Sequence, residues 1–366
     1  MLFPLSRLLV VALIGLGLGL GLAPAAVAAP AENLLLITYD GLRWQEVFGG
    51  LDQSIMSADT DRVGEMLALG AKYWADTPEE RRAKLLPFFW NTIAQKGAIF
   101  GHLESGSPAR VTNEMNFSYP GYNELLTGAP DPAIDSNDKR NNPNENVLEW
   151  INRQPGFEGR VAAFTSWDVF PYILNIERNR LPLSAGWEGQ ISSKDPERAA
   201  LLNQVQADTP RYWDGVRFDV FTHHAAVEYI KAHQPRVIYV AYGETDDWAH
   251  DGRYHLYAES AWRTDDCIRR LWEMLQSMPQ YKDKTALLMT TDHGRGDTPA
   301  DWTSHGRKLP QSDRIWIAAL GVGVAPQGIV KESPATQSQV AATAAALLGL
   351  DFPAAHPKAA PPLKLK

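Results

Sequence analysis

The sequence predicts an α/β protein, a three-layer α/β/α sandwich around a mostly parallel sheet, and three observations carry that reading. Apolar, β-branched runs alternate with helical patterns along most of the chain, the order expected of parallel strands joined by helical crossovers. Three of those runs end in acidic, glycine-containing loops: NLLLITYDG at 33–41, RVIYVAYGETD at 236–246 and TALLMTTDHG at 285–294. The chain is also long enough, at 366 residues and 45% hydrophobic content, to bury a substantial core.

Taken in chain order, residues 1–29 stand apart. Arg7 precedes a leucine- and glycine-rich apolar run, and Ala26 and Ala28 then form an A-x-A pattern. A short positive region, an apolar stretch and small residues at a cleavage point make an export signal, so a periplasmic or secreted protein is expected, with cleavage after Ala28 or Ala29. An uncleaved anchor is the alternative, because the run approaches the ~20 residues that span a bilayer. With the leader removed, no membrane span is expected.

The run at 33–39 is apolar without alternation, as suits a strand covered on both faces, and it delivers Asp40 at its carboxyl end. Shorter strands are expected in GAIFGHL at 97–103, RVAAFTSW at 160–167 and RIWIAALG at 314–321. Helical patterns fall at about 83–95, 145–153, 220–233, 255–278 and 337–349. These elements make one domain over residues 30–353. A polar, turn-rich stretch near 175–215 reads as a cap insertion, and the Pro-, Ala- and Lys-rich residues 354–366 as a flexible tail.

The balance of 35 basic against 43 acidic side chains, a formal charge of -8, argues against binding nucleic-acid polymers or anionic membranes through bulk charge. Cys267 is the single cysteine, so no intrachain disulfide forms despite the expected export, and it reads as a helix-face residue.

In sheets of this type ligands gather beyond the carboxyl ends of the strands, where the three acidic loops converge. Asp246 and His250 are four apart, a spacing that puts both on one side of a helical turn and suits a divalent metal; a structural Asp–His hydrogen bond is the competing explanation. Asp292 and His293 lie side by side, with His305 shortly after. In NFSYPGYNELLTG, Ser118 opens a short helix with a glycine stop, a position facing backbone N–H groups and a favourable dipole for an anion; a simple capping serine is the competing explanation. His223, His224 and His255 fall on expected helices without motif partners and read as packing or surface residues.

Together these segments resemble the alkaline phosphatase superfamily, especially its nucleotide pyrophosphatase/phosphodiesterase branch. The order matches as well as the content: a strand ending in D-G, a hydroxyl residue followed by x-P and then L-x-T-G, a D-x-x-x-H loop, D-H-G, and a final H-G, over roughly residues 33–325. The resemblance implies one metal ion at Asp40, Ser118, Asp292 and His293 and a second at Asp246, His250 and His305. Carboxylate and imidazole donors suit Zn²⁺, with manganese or a mixed zinc–magnesium pair as the alternative, and two ions would clamp an in-line displacement. It further implies Ser118 as a metal-activated nucleophile forming a covalent phosphoenzyme, and Asn137, nineteen residues later, as a contact to a non-bridging oxygen.

The expected activity is hydrolysis of a small phosphoester, with phosphodiesters or pyrophosphates favoured slightly over monoesters. Tyr119, Tyr122, Trp167 and Trp248 are candidates to stack on a base or aryl leaving group, and Lys139 and Arg140 could meet a doubly charged monoester. Sulfate-ester or phosphonate-ester hydrolysis is the alternative within the superfamily, although Pro120 is not followed two residues later by the arginine of the sulfatase motif. A metal-binding relative without turnover is the reading from another class.

Overall fold

The computed structural model describes residues 29–366, so the export signal expected at 1–29 lies almost entirely outside the described residues. Among the described residues eleven strands occur in order: β1 (Asn33–Tyr39), β2 (Ala98–Phe100), β3 (Ala109–Arg110), β4 (Val161–Thr165), β5 (Leu183–Ala185), β6 (Val237–Tyr242), β7 (Thr285–Thr291), β8 (Arg314–Ile315), β9 (Ile317–Gly321), β10 (Gly328–Ile329) and β11 (Ala335–Thr336). Eight of them form one sheet, ordered β10-β2-β9-β7-β1-β6-β4-β5. The centre, from β7 through β1, β6 and β4 to β5, is parallel, and β9 alone runs against its neighbours β7 and β2.

The apolar runs become central strands because both faces are covered. Leu35, Ile37 and Tyr39 of β1 enter one core with Ile238, Val240 and Tyr242 of β6 and Leu287 and Met289 of β7. Leu34 and Leu36 enter the opposite core with Val237, Tyr239, Ala241, Ala286 and Leu288. Successive side chains of a strand point to opposite faces, so an unbroken apolar run fills two layers at once. The first core is roofed by helices Val63–Tyr73, Asp219–His233 and Tyr254–Ser277, the second by Ser118–Thr127, Val147–Asn152 and Gln339–Leu347. This is the α/β/α sandwich the sequence predicts.

Several local readings shift. The helix expected at 83–95 is three pieces, Pro78–Leu85, a π turn at Phe89–Ile93 and a final turn at Ala94–Lys96. Pro87, which lacks an N–H and clashes with the preceding turn, separates the first from the second. Part of the segment expected as a cap, 175–215, belongs to the sheet itself, since β5 pairs with β4 at its edge. The remainder carries helix Pro196–Asp208, capped by Asp195 through the N–H groups of Glu197 and Arg198. The tail expected to be flexible is docked instead. Leu363 and Leu365 are buried, the Leu363 N–H donates to Thr343 Oγ1 at 2.9 Å, and the Ala360 N–H donates to the Gly128 carbonyl at 2.9 Å. Its lysines alternate with those leucines, so one edge of a polar-looking segment is apolar. Cys267 is buried on helix Tyr254–Ser277, where burial pushes its thiol up to about 11 and away from thiolate chemistry. Among the described residues no helix is long and apolar enough to cross a membrane.

Candidate active site

Four chain segments meet beyond the carboxyl ends of β1, β6 and β7. Asp40 follows β1 directly, Asp292 and His293 follow β7, and the loop after β6 turns at once into helix Glu244–His250, which carries Asp246 and His250 on one side. The fourth segment is helix Ser118–Thr127. Phe117 occupies its N-cap in extended conformation, so Ser118 is the first helical residue and not the capping serine. The helix stops at Gly128, in the left-handed region at φ 80°.

Two glycines let these segments approach. Gly41 sits at φ +60°, and a Cβ there would lie 2.6 Å from Asp246 Oδ1 and 3.0 Å from Arg295 Nε. Gly121 lets the Ser118 helix lie against the strand end, since its Cβ would come within 2.5 Å of the Asp292 carbonyl oxygen. Gly41→Ala combines steric overlap with backbone strain and is expected to lower stability by roughly 1–3 kcal/mol and to displace Asp246. Thermal unfolding of the metal-free variant, with metal titration of the same preparation, measures both effects.

The acidic and imidazole groups sort into two triads. Asp40, Asp292 and His293 are buried and form one group that could hold a metal ion; Asp246, His250 and His305 form the other. In the first, His293 Nε2 lies 3.4 Å from Asp40 Oδ1 and 3.5 Å from Asp292 Oδ2. In the second, His250 Nε2 lies 3.1 Å from Asp246 Oδ2 and 2.9 Å from His305 Nε2. The triads adjoin, because Asp246 Oδ1 is 3.7 Å from both His293 Nε2 and His305 Nε2. Ser118 Oγ is 3.4 Å from His293 Nε2, beside the first triad.

The donor chemistry fits cations. Asp40 Oδ1 and Asp292 Oδ2 are buried with no hydrogen-bond partner, an arrangement too costly to persist without a positive charge nearby. Their other oxygens are held, Asp40 Oδ2 by the Tyr122 hydroxyl at 3.0 Å and Asp292 Oδ1 by the Gly41 N–H at 3.0 Å. Each of two histidines donates its Nδ1–H to a carbonyl, His293 to Gly294 at 2.9 Å and His305 to Asn116 at 3.1 Å. A carbonyl can only accept, so the tautomer is fixed and the Nε2 lone pair of each faces the centre of the site.

Burial, followed by the repulsion of neighbouring carboxylates, raises the pKa of Asp40 and lifts that of Asp292 well above the usual range. For His293 burial opposes protonation, but Asp292, Asp40 and Asp246 outweigh it and push the imidazole up to about 9. These shifts describe the protein without ions: protons are drawn to where negative charge is uncompensated. The two triads differ in access, since the His293 side chain is fully buried whereas that of His250 is 45% exposed.

Asn137 is brought to the same helix end. Its Oδ1 accepts from the Tyr119 N–H at 3.0 Å, and the residue itself is exposed. Lys139 is paired with Asp168 at 2.7 Å and Arg140 with Asp138 at 2.9 Å. The stacking role expected of Tyr119 and Tyr122 is overturned: both rings are buried, and their hydroxyls are engaged by the Arg140 carbonyl at 2.6 Å and by Asp40. Trp248 lies in another aromatic cluster, 4.4 Å from Trp213 between ring centroids, and the Trp213 indole donates to Asp251 at 3.1 Å. His223, His224 and His255 are absent from both triads.

Sequence reasoning missed the residues that hold the two triads in place. Asp219, fully buried and raised to about 8 by burial and then by Glu244, accepts from the N–H groups of Gly243 and Glu244, setting the turn into the Asp246 helix. Gln337 donates to the Asp292 carbonyl at 2.6 Å. Arg295, immediately after D-H-G, is buried and donates to Asp246. A charged residue directly after a ligand motif was the available signal, but sequence does not show that it folds inward. Glu114 and Asn116 take positive φ angles of 61° and 52° in the loop before Ser118, a strained geometry of the kind found at functional sites.

Comparison with known proteins agrees with this architecture. Residues 220–351 match the family model described as the Metalloenzyme superfamily. A curated relative, GPI ethanolamine phosphate transferase 1 of Emericella nidulans, is 36% identical over 92 residues, 19% of this chain. The match spans only 10% of that protein's length. Among solved structures, the alkaline phosphatase PafA superposes with a TM-score of 0.57 at 10% identity, covering 90% of this chain and 97% of that one. The phosphonate monoester hydrolase of Silicibacter pomeroyi gives 0.53 at 15% identity, covering 91% and 76%. The chain therefore has the fold of the alkaline phosphatase superfamily, and its residues 220–351 are similar to the Metalloenzyme superfamily.

Proposed function

We propose that this protein is an exported hydrolase of small phosphoric esters that works through Ser118 with two divalent ions, most simply Zn²⁺. One observation carries the reading: two adjoining triads of carboxylate and imidazole, two of whose buried oxygens have no partner, converge beside a serine hydroxyl at the start of a helix. Asp40, Asp292 and His293 would hold the ion next to Ser118, and Asp246, His250 and His305 the other. When bound, such ions supply Lewis acidity, lowering the pKa of a hydroxyl or water and stabilising charge on a departing oxygen.

The protein's own groups set the rest. In this reading Ser118 Oγ attacks phosphorus, forming an oxygen–phosphorus bond as the bond to the leaving oxygen breaks, and water then releases the phosphoryl group from the serine. The N-terminal end of the ten-residue Ser118 helix favours the anionic phosphoryl oxygens. Asn137, its oxygen engaged by the Tyr119 N–H, keeps its amide N–H groups for a non-bridging oxygen. Departure is toward His250, the exposed edge of the site. Phosphodiesters or pyrophosphates fit better than monoesters, because Lys139 and Arg140 are already paired with carboxylates and bring no free cation to a second negative charge.

The similar proteins, named as an alkaline phosphatase, a phosphonate monoester hydrolase and an ethanolamine phosphate transferase, support phosphorus chemistry. They also favour phosphonate esters as the second reading. Rates of the mature protein on aryl phosphate, bis-aryl phosphate, aryl phosphonate, aryl sulfate and nucleotide substrates test the assignment. Bis-aryl phosphate or a nucleotide is expected to turn over fastest; a preference for aryl sulfate would sink it.

A further inference from the structure

We infer that Arg295 is a positioning residue dedicated to the second metal position, the one formed by Asp246, His250 and His305. Its guanidinium is 1% exposed and ties together two segments that supply that position. One terminal nitrogen donates to the Thr303 carbonyl at 2.8 Å, two residues before His305. The other donates to the Asp246 carbonyl at 2.9 Å and to Asp246 Oδ1. Asp246 is thus fixed through main chain and side chain at once, and Oδ2 is the oxygen left facing His250. A planar fork suits this task, whereas an ammonium group cannot span two directions in one plane.

Arg295 is not placed to contact substrate. Its Nε has no hydrogen-bond partner and lies against Gly41, where a Cβ would meet it at 3.0 Å. No oxygen or nitrogen of Asp40, Asp292 or His293 is among its hydrogen-bond partners. The effect of losing the fork should therefore be uneven: the Asp246 position loosens and the buried position beside Ser118 holds.

This inference rests on the two-ion reading, and metal binding separates the two. Stepwise Zn²⁺ titration of the metal-free full chain, followed by calorimetry and by metal analysis after gel filtration, should give two ions for the natural protein. Failure to bind two would overturn the functional reading itself. With two bound, R295Q should weaken one step at least tenfold and change the other less than threefold. R295K should fall between R295Q and the natural protein, because it restores charge without the fork. Equal weakening of both steps, or no weakening of either, would overturn the assignment to Arg295. Should R295Q not fold, R295K decides alone: at least threefold weakening of a single step supports the inference, and natural affinity at both steps refutes it.

Discussion

Ser118→Ala will lower kcat by a factor on the order of 10⁴ or more, while both metal positions keep their ions. The serine hydroxyl lies at 3.4 Å from His293 Nε2, and among the described residues no other hydroxyl or thiol is in hydrogen-bond contact with the His293 imidazole, the Thr291 hydroxyl reaching only the His293 carbonyl. Asp40, Asp292 and His293 remain to hold the adjacent ion after the substitution. The variant therefore separates chemistry from binding. Metal content, substrate KM and kcat measured on one preparation provide the check, along with trapping of a labelled phosphoenzyme that forms in the natural protein and is absent from the variant. Full activity in Ser118→Ala toward every phosphoester tested would remove the serine from the mechanism.

Removal of the ions should be the second large effect, on stability as well as on turnover. Ligands that bind only the folded state stabilise it by about 2.7 kcal/mol each at one hundred times their Kd, so two ions contribute roughly 5 kcal/mol under such conditions. Chelation is expected to abolish activity and to lower the thermal midpoint, with zinc and not magnesium restoring both. The sign of the pH dependence should differ between the two forms. Without ions, the folded-state pKa values of Asp40, Asp292 and His293 are all raised, so the folded state binds protons more tightly than the unfolded chain. That stabilisation is fully present below the unfolded values and is lost as pH rises through the folded ones; for His293 the window runs from 6.5 to about 9. The chelated protein should therefore lose stability between those values. The loaded protein should not, since ligation requires deprotonated donors and tightens as pH rises. Unfolding curves of both forms from pH 6 to 9 test this, and identical slopes would exclude metal binding by the buried triad.

The residues of the two triads were legible because each is announced locally. A buried parallel strand has one way to end at a site, and an apolar run closing on D-G or D-H-G marks both the strand and the group it delivers. The pairing of Asp246 with His250 follows from helical spacing alone. What the sequence could not show was the side chains acting across long separations. Arg295 bonds Asp246 forty-nine positions earlier, and Tyr122 donates to Asp40 eighty-two positions earlier. Tyr122 looked like a stacking surface because composition does not say which way a ring faces. In helix Ser118–Thr127 it turns inward, toward Phe170 at 4.7 Å and the Asp40 carboxylate. The tail misled for a related reason: two leucines among prolines and lysines carry little periodic signal, yet they find a groove formed by residues distant in sequence.

That docked tail bears on the order in which the molecule is completed. The Ala360 N–H closes on the carbonyl of Gly128, the residue that ends the Ser118 helix. A chain made from its N-terminus has Ser118 and six of the seven other proposed site residues in hand well before this brace exists, and His305 still more than fifty residues before it. During synthesis, the helix that carries Ser118 would stay unbraced at its far end until the segment around Ala360 emerged.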